Sequence, residues 1–157
     1  MMQAIRRKDR AIPEKEAHAI LNRGEYGILA TNDAAGQPYA VPLSYIFYNG
    51  KLYFHCALEG HKLNNIEQNP RVSFCVVGPT KPIFHGTGFS TNYESCVAFG
   101  TAHVVTDETE RHDALRALTI KYFPGMDAEI QNAIDETGMV TAVVAIVIDH
   151  VTGKARR

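Results

Sequence analysis

Apolar residues recur along this chain with two different periods. Ala17, Ile20 and Leu21 follow Pro13 at spacings of three and four, which predicts a helix that ends at Gly24. Tyr26–Thr31 then reads as a strand, Asn32–Gly36 as its turn, and Tyr39–Tyr48 as a second strand interrupted or bulged at Pro42. Asn49-Gly50 lies between Tyr45-Ile46-Phe47-Tyr48 and Lys51-Leu52-Tyr53-Phe54, the pattern of a two-residue type I′ hairpin. The resulting register sets Tyr48 opposite Lys51, Ile46 opposite Tyr53 and Ser44 opposite His55. Leu43, Tyr45, Phe54 and Cys56 then fall on the other face.

After Ala57 the period changes. Gly60–Gln68 reads as a short helix buried through Leu63 and Ile66 and stopped by Asn69-Pro70. Arg71–Val77 is a strand, Gly78–Thr91 a loop rich in Pro, Gly and Thr, and Tyr93–Val105 a long strand with Gly100 as a kink. Asp107 and Glu110 have capping-box spacing and open a helix that runs to Pro124-Gly125. A further helix spans Ala128–Glu136. Met139–Asp149 is the last strand, with a turn at Thr152-Gly153, and residues 1–12 form an exposed lead-in. About six hairpin-linked strands with inserted helices predict an α+β domain over residues 1–157, built on an antiparallel sheet that curls or closes. The βαβ rhythm and G-x-G-x-x-G of a dinucleotide fold are absent.

Composition narrows the function more than the fold. Of 157 residues, 45% are apolar and 21% charged, and the formal net charge of -1 argues against a general nucleic-acid binder. The longest apolar run, Ala142–Ile148, is too short for a membrane-spanning helix, and no secretory pattern is visible. Cys56, Cys75 and Cys96 have no C-x-x-C spacing, consistent with reduced, core thiols in the cytoplasm.

The segment from Phe54 to Leu63 carries the most chemistry. A strand ends, a glycine turn follows, and a helix begins with His61 and Lys62 in its first turn. Free N–H groups at such a terminus attract anions, and phosphate suits them; a surface helix with a solvated Lys62 meets the same pattern. His55 sits just before this turn, where an imidazole can hydrogen-bond a planar ligand or carry a proton. Pro42 leaves Val41–Tyr45 short of a ladder donor, as a ligand wall or an ordinary bulge would be. His55, Cys56 and His61 do not make a metal site, because the first two point to opposite faces and no second ligand cluster exists.

In their order and spacing, Gly24-Glu25-Tyr26-Gly27, Pro38–Tyr45, Phe54–Lys62, Asn69–Phe74, Tyr93-Glu94-Ser95, Phe99-Gly100, Ile148-Asp149 and Thr152-Gly153-Lys154 are similar to a known family. The chain resembles the nitroimidazole-resistance (Nim-type) branch of the pyridoxamine 5′-phosphate oxidase-like FMN-binding split barrels. The resemblance implies a homodimer with FMN in a groove between subunits. It places the flavin ring along Leu43, Ser44 and Tyr45, chiefly through their backbone. His55 faces flavin and substrate, Cys56 and Ala57 line the ring or ribityl chain, and Gly60, His61, Lys62 and Leu63 form the phosphate end. Asn92 and Tyr93 come from the partner subunit. The implied activity is reduction of a nitro group or related small acceptor with flavin electrons, His55 being the donor or proton source. A flavin sensor without turnover, and haem or deazaflavin on the same barrel, are the alternatives.

Overall fold

Asn49 and Gly50 take φ values of +48° and +77°, the paired left-handed residues of a type I′ turn. They join Ile46–Tyr48 (β4) to Lys51–Cys56 (β5), with Ile46 opposite Tyr53, Phe47 opposite Leu52 and Tyr48 opposite Lys51. The computed structural model describes residues 4–157, apart from the side chain of Met139. Around the hairpin the chain runs Ala11–Ile12 (β1), Glu14–Arg23 (α1), Gly27–Asn32 (β2), Pro38–Leu43 (β3), β4, β5, His61–Gln68 (α2) and Arg71–Phe84 (β6). Phe89–Val104 (β7), Glu108–Tyr122 (α3), Asp127–Thr137 (α4) and Ala142–Arg156 (β8) complete it.

All strand pairs are antiparallel and belong to one sheet ordered β3-β2-β6-β7-β8-β5-β4, with β1 also on β8. Buried side chains from α1, α2 and strands β2, β5, β6, β7 and β8 share one apolar cluster, which requires the sheet to curl around them as a half-barrel. Leu29, Phe74, Ala98 and Val144 are fully buried within it. The opposite face of β5 and β8 packs Tyr53, Val143 and Ala145 against Ala114 and Leu115 of α3. This two-sided burial explains the unbroken apolar run at the start of β8.

Among the described residues the sheet has eight strands where about six were expected. Tyr39–Tyr48 divides into β3 and β4, but not at Pro42. That residue pairs with Ile28 on an edge strand, where its missing donor is tolerated, and the break comes at Ser44–Tyr45. The expected lead-in contains β1, which pairs Ala11 with Lys154 and Ile12 with Gly153; residues 1–3 lie outside the described range. The expected loop 78–91 is mostly strand, since β6 and β7 continue as a hairpin to Phe84 and Phe89. Its Gly78-Pro79 pair sits in the register shift between Val77 and Thr80. The expected turn at Thr152-Gly153 is interior strand. A Cβ on Gly153 would lie 2.6 Å from Ile12 and 2.8 Å from Ala17, so this glycine admits β1 and α1 rather than bending the chain. Residues 138–140 form a 3₁₀ turn, and β8 begins only at Ala142.

Candidate functional site

The turn between β5 and α2 brings His55, Cys56, Ala57, Gly60, His61, Lys62 and Leu63 to one end of the sheet. β5 carries Phe54 inward at 1% exposure, so His55 projects outward beside Val143 of β8. The residue remains exposed at the surface, and partial desolvation lowers its pKa below the ordinary histidine value. The shift favours the neutral ring, which carries one donor and one acceptor. Cys56 is half-buried against the core. Burial raises its thiol pKa, while the Lys62 ammonium offsets part of that rise.

Gly60, at φ +143°, precedes α2 and offers no side-chain cap. Its carbonyl accepts from the Leu63 and Asn64 N–H groups at 3.0 and 3.1 Å. The His61 and Lys62 N–H groups have no hydrogen-bond partner among the described residues. His61 lies over Tyr39 of β3, with ring centroids 4.1 Å apart, which ties the helix start to the outer strand. Leu63 packs on the core. Below it, Asn65, 2% exposed, donates to Thr31 Oγ1 at 2.9 Å and fixes α2 to β2. Ala57 is exposed in the connecting turn.

Leu43 and Tyr45 share the core side with Phe54 and Cys56 as expected, but Ser44 is placed differently. The β4–β5 ladder ends at Ile46–Tyr53, and His55 pairs only with β8, so Ser44 is not the cross-strand partner of His55. Leu43 is half-buried and Ser44 exposed. Tyr45 is a core residue at 0% exposure: its ring meets Phe74 edge-on at 4.9 Å and its hydroxyl donates to the Leu21 carbonyl at 2.6 Å. Desolvation raises its pKa. Both backbone polar groups of Tyr45 are already engaged. The N–H donates to Tyr122 Oη at 3.1 Å, and the carbonyl accepts from Lys121 Nζ at 2.8 Å. These α3 side chains carry no motif and lie 76 and 77 residues away in sequence, so sequence reasoning had no signal for them.

Asn92 and Tyr93 are not brought to this end. Tyr93 pairs with Arg156 and His55 with Val143, thirteen residues apart on β8, or on the order of 40 Å along a straight strand. Asn92 lines a separate cavity of about 280 Å³ with Lys81 and Arg156. A larger cavity, about 500 Å³, lies over Ala30, Ser73, Phe99 and His150 on the outer sheet face. Among the described residues, no three His, Cys, Asp or Glu side chains gather as a metal set. Nor, among the described residues, is any helix long and apolar enough to cross a membrane.

The family model described as pyridoxamine 5′-phosphate oxidase matches residues 13–155. No curated protein matches the chain. Among solved structures, a candidate 5-nitroimidazole antibiotic resistance protein from Bacteroides thetaiotaomicron is 22% identical, with 92% of this chain and 85% of that one covered and a TM-score of 0.76. A FAD-binding protein from Mesorhizobium loti is 26% identical over 94% of this chain and 98% of its own, with a TM-score of 0.69. A FAD- and haem-binding protein from Mycobacterium smegmatis is 21% identical over 92% and 72%, with a TM-score of 0.80.

Proposed function

Because the chain belongs to the pyridoxamine 5′-phosphate oxidase family, we propose that it binds FMN and reduces a small acceptor, with nitro compounds as the first class to test. The carrying observation is the start of α2. Two backbone N–H groups without a partner among the described residues open α2, with Lys62 in the same turn and His55 and Cys56 at the end of the strand just before it, a donor set that fits a phosphate ester. Gly60–Leu63 then holds the phosphate, and Leu43, Ser44, Cys56 and Ala57 border the ring and ribityl chain. Tyr45 takes part by positioning, because its own polar groups are spent inside the chain. Bound flavin supplies the redox chemistry; His55, a neutral imidazole, holds the acceptor by its N–H and relays a proton from solvent.

A second copy of the chain completes the site. The separation of Tyr93 from His55 along β8 supports a homodimer in which Asn92 and Tyr93 come from the partner subunit. The likeness to a candidate nitroimidazole-resistance protein and a FAD-binding protein supports the flavin and acceptor classes. Anaerobic reoxidation of the reduced holoprotein by a nitroimidazole tests the chemical step. His55→Ala slows it by about tenfold or more; equal rates for the two proteins remove His55 from the chemistry. A haem Soret band in the purified protein with no flavin absorbance contradicts the cofactor assignment.

A further inference from the structure

The gap between β3 and β4 poses a backbone problem. Ser44 and Tyr45 lie outside both strands, so the Tyr45 peptide groups have no ladder partner, and buried groups of this kind require one. The C-terminal turn of α3 supplies it. Tyr122 Oη accepts from the Tyr45 N–H at 3.1 Å and donates to the Glu25 carbonyl. Lys121 Nζ donates to the Tyr45 carbonyl at 2.8 Å and the Gly24 carbonyl at 2.6 Å, and sits 3.9 Å from the centroid of the Tyr45 ring. Two adjacent side chains thus fasten the Gly24-Glu25 bend to the Ser44-Tyr45 break.

Lys121 is costly to place there. Burial alone pulls its pKa down to about 8, with no acidic group among the causes. What offsets that cost is two charge-assisted hydrogen bonds to carbonyls and the face of the Tyr45 ring. With Tyr45 anchored inward at 0% exposure and Ser44 exposed, the outward course of the chain at Ser44 is set by this pair.

We propose that Lys121 and Tyr122 are positioning residues for the flavin wall: they fix the backbone at Ser44–Tyr45 and thereby set the affinity for FMN. This rests on the flavin reading above. Neither side chain touches the cofactor in this account; both act through Tyr45.

The experiment is FMN titration of the full chain, followed by flavin fluorescence quenching, with amide hydrogen exchange measured in parallel. Lys121→Met and Tyr122→Phe each raise the Kd by about tenfold, the equivalent of one lost hydrogen bond. Lys121→Arg, which keeps the charge and donors, recovers part of the loss. Leu115→Ala, in the same helix but packed on the second cluster, lowers thermal stability yet leaves the Kd within about twofold once the protein is folded. Where Lys121→Met does not fold, Tyr122→Phe carries the test: the Tyr45 amide exchanges faster while β5 is unchanged, and FMN affinity falls. Wild-type affinity in Lys121→Met, or in a folded Tyr122→Phe, overturns the inference, as does equal weakening by Leu115→Ala. If the unsubstituted protein takes up no FMN, the flavin reading fails and this inference with it; if it binds FMN and the α3 variants match it, only the inference fails.

Discussion

Replacing Tyr45 by phenylalanine removes one oxygen from the centre of the molecule. The hydroxyl donates to the Leu21 carbonyl at 2.6 Å, in the last turn of a helix that ends at Arg23, where carbonyls have lost their intrahelical partners. Tyr45 is fully buried, so water cannot take the place of the lost donor. The variant keeps the ring and its edge-on contact with Phe74, which isolates the hydrogen bond from packing. A lost bond that leaves a buried carbonyl unpartnered costs about 1–2 kcal/mol. In a chain of this length that lowers Tm by about 3–6 °C. Urea unfolding should show a lower midpoint with an unchanged m-value. Tyr45→Ala, which also opens a cavity, costs roughly 3–5 kcal/mol. A Tyr45→Phe protein within about 1 °C of wild type would refute the assignment of this hydroxyl as the closure of α1.

Four further outcomes follow from the same geometry. His55 titrates below the ordinary histidine value because desolvation disfavours its charged form; between that lowered pKa and the unfolded value near 6.5, the unfolded chain binds more protons, so stability rises with pH. His55→Gln flattens this rise, and an NMR titration placing His55 at or above 6.5 contradicts it. Glu110 accepts from Lys51 Nζ and Tyr53 Oη, both at 2.7 Å, and its pKa is lowered first by Lys51 and then by Tyr53. This stabilisation is present above the unfolded carboxyl value and is lost as pH falls through the lowered one; since the pair is about one-third exposed, Glu110→Gln should cost no more than about 1 kcal/mol in urea unfolding. Gly153→Ala forces a methyl against Ile12 and Ala17 and should destabilise by about 1–3 kcal/mol, with loss of amide protection at Ile12. Cys96, 1% exposed and pushed up to about 12 by burial, should resist a thiol reagent until the protein unfolds.

The legible parts of this fold were the local ones. Asn49-Gly50 announced its hairpin because positive φ at two successive residues is a rare demand. Asp107 announced α3 because its carboxylate caps the Glu110 N–H, at 2.7 Å; the Glu110 side chain, expected to reach back, instead joins Lys51 and Tyr53. The missed features depend on distant partners. Gly78-Pro79 and Pro82 suggest loop by composition, yet beyond Cys75 the β6 strand pairs with β7 alone, and a free edge tolerates proline. Gly153 looked like a turn because nothing nearby in sequence reveals β1 and α1 pressing on it. At the site, the α2 terminus was legible from Gly60-His61-Lys62. The placement of Ser44 was not: extending the hairpin register past Ile46 assumes that β3 and β4 are continuous, and the break at Tyr45 is set by α3, a helix with no local trace at residue 45.

The claim that α2 opens onto a phosphate is tested most directly by comparing two flavins that differ only in that group. FMN and riboflavin are titrated into the purified protein, alongside Lys62→Ala. The account predicts that FMN binds at least about tenfold more tightly than riboflavin, and that Lys62→Ala erases most of the difference by weakening FMN alone. Equal affinities for the two flavins, or an FMN preference untouched by Lys62→Ala, would contradict it.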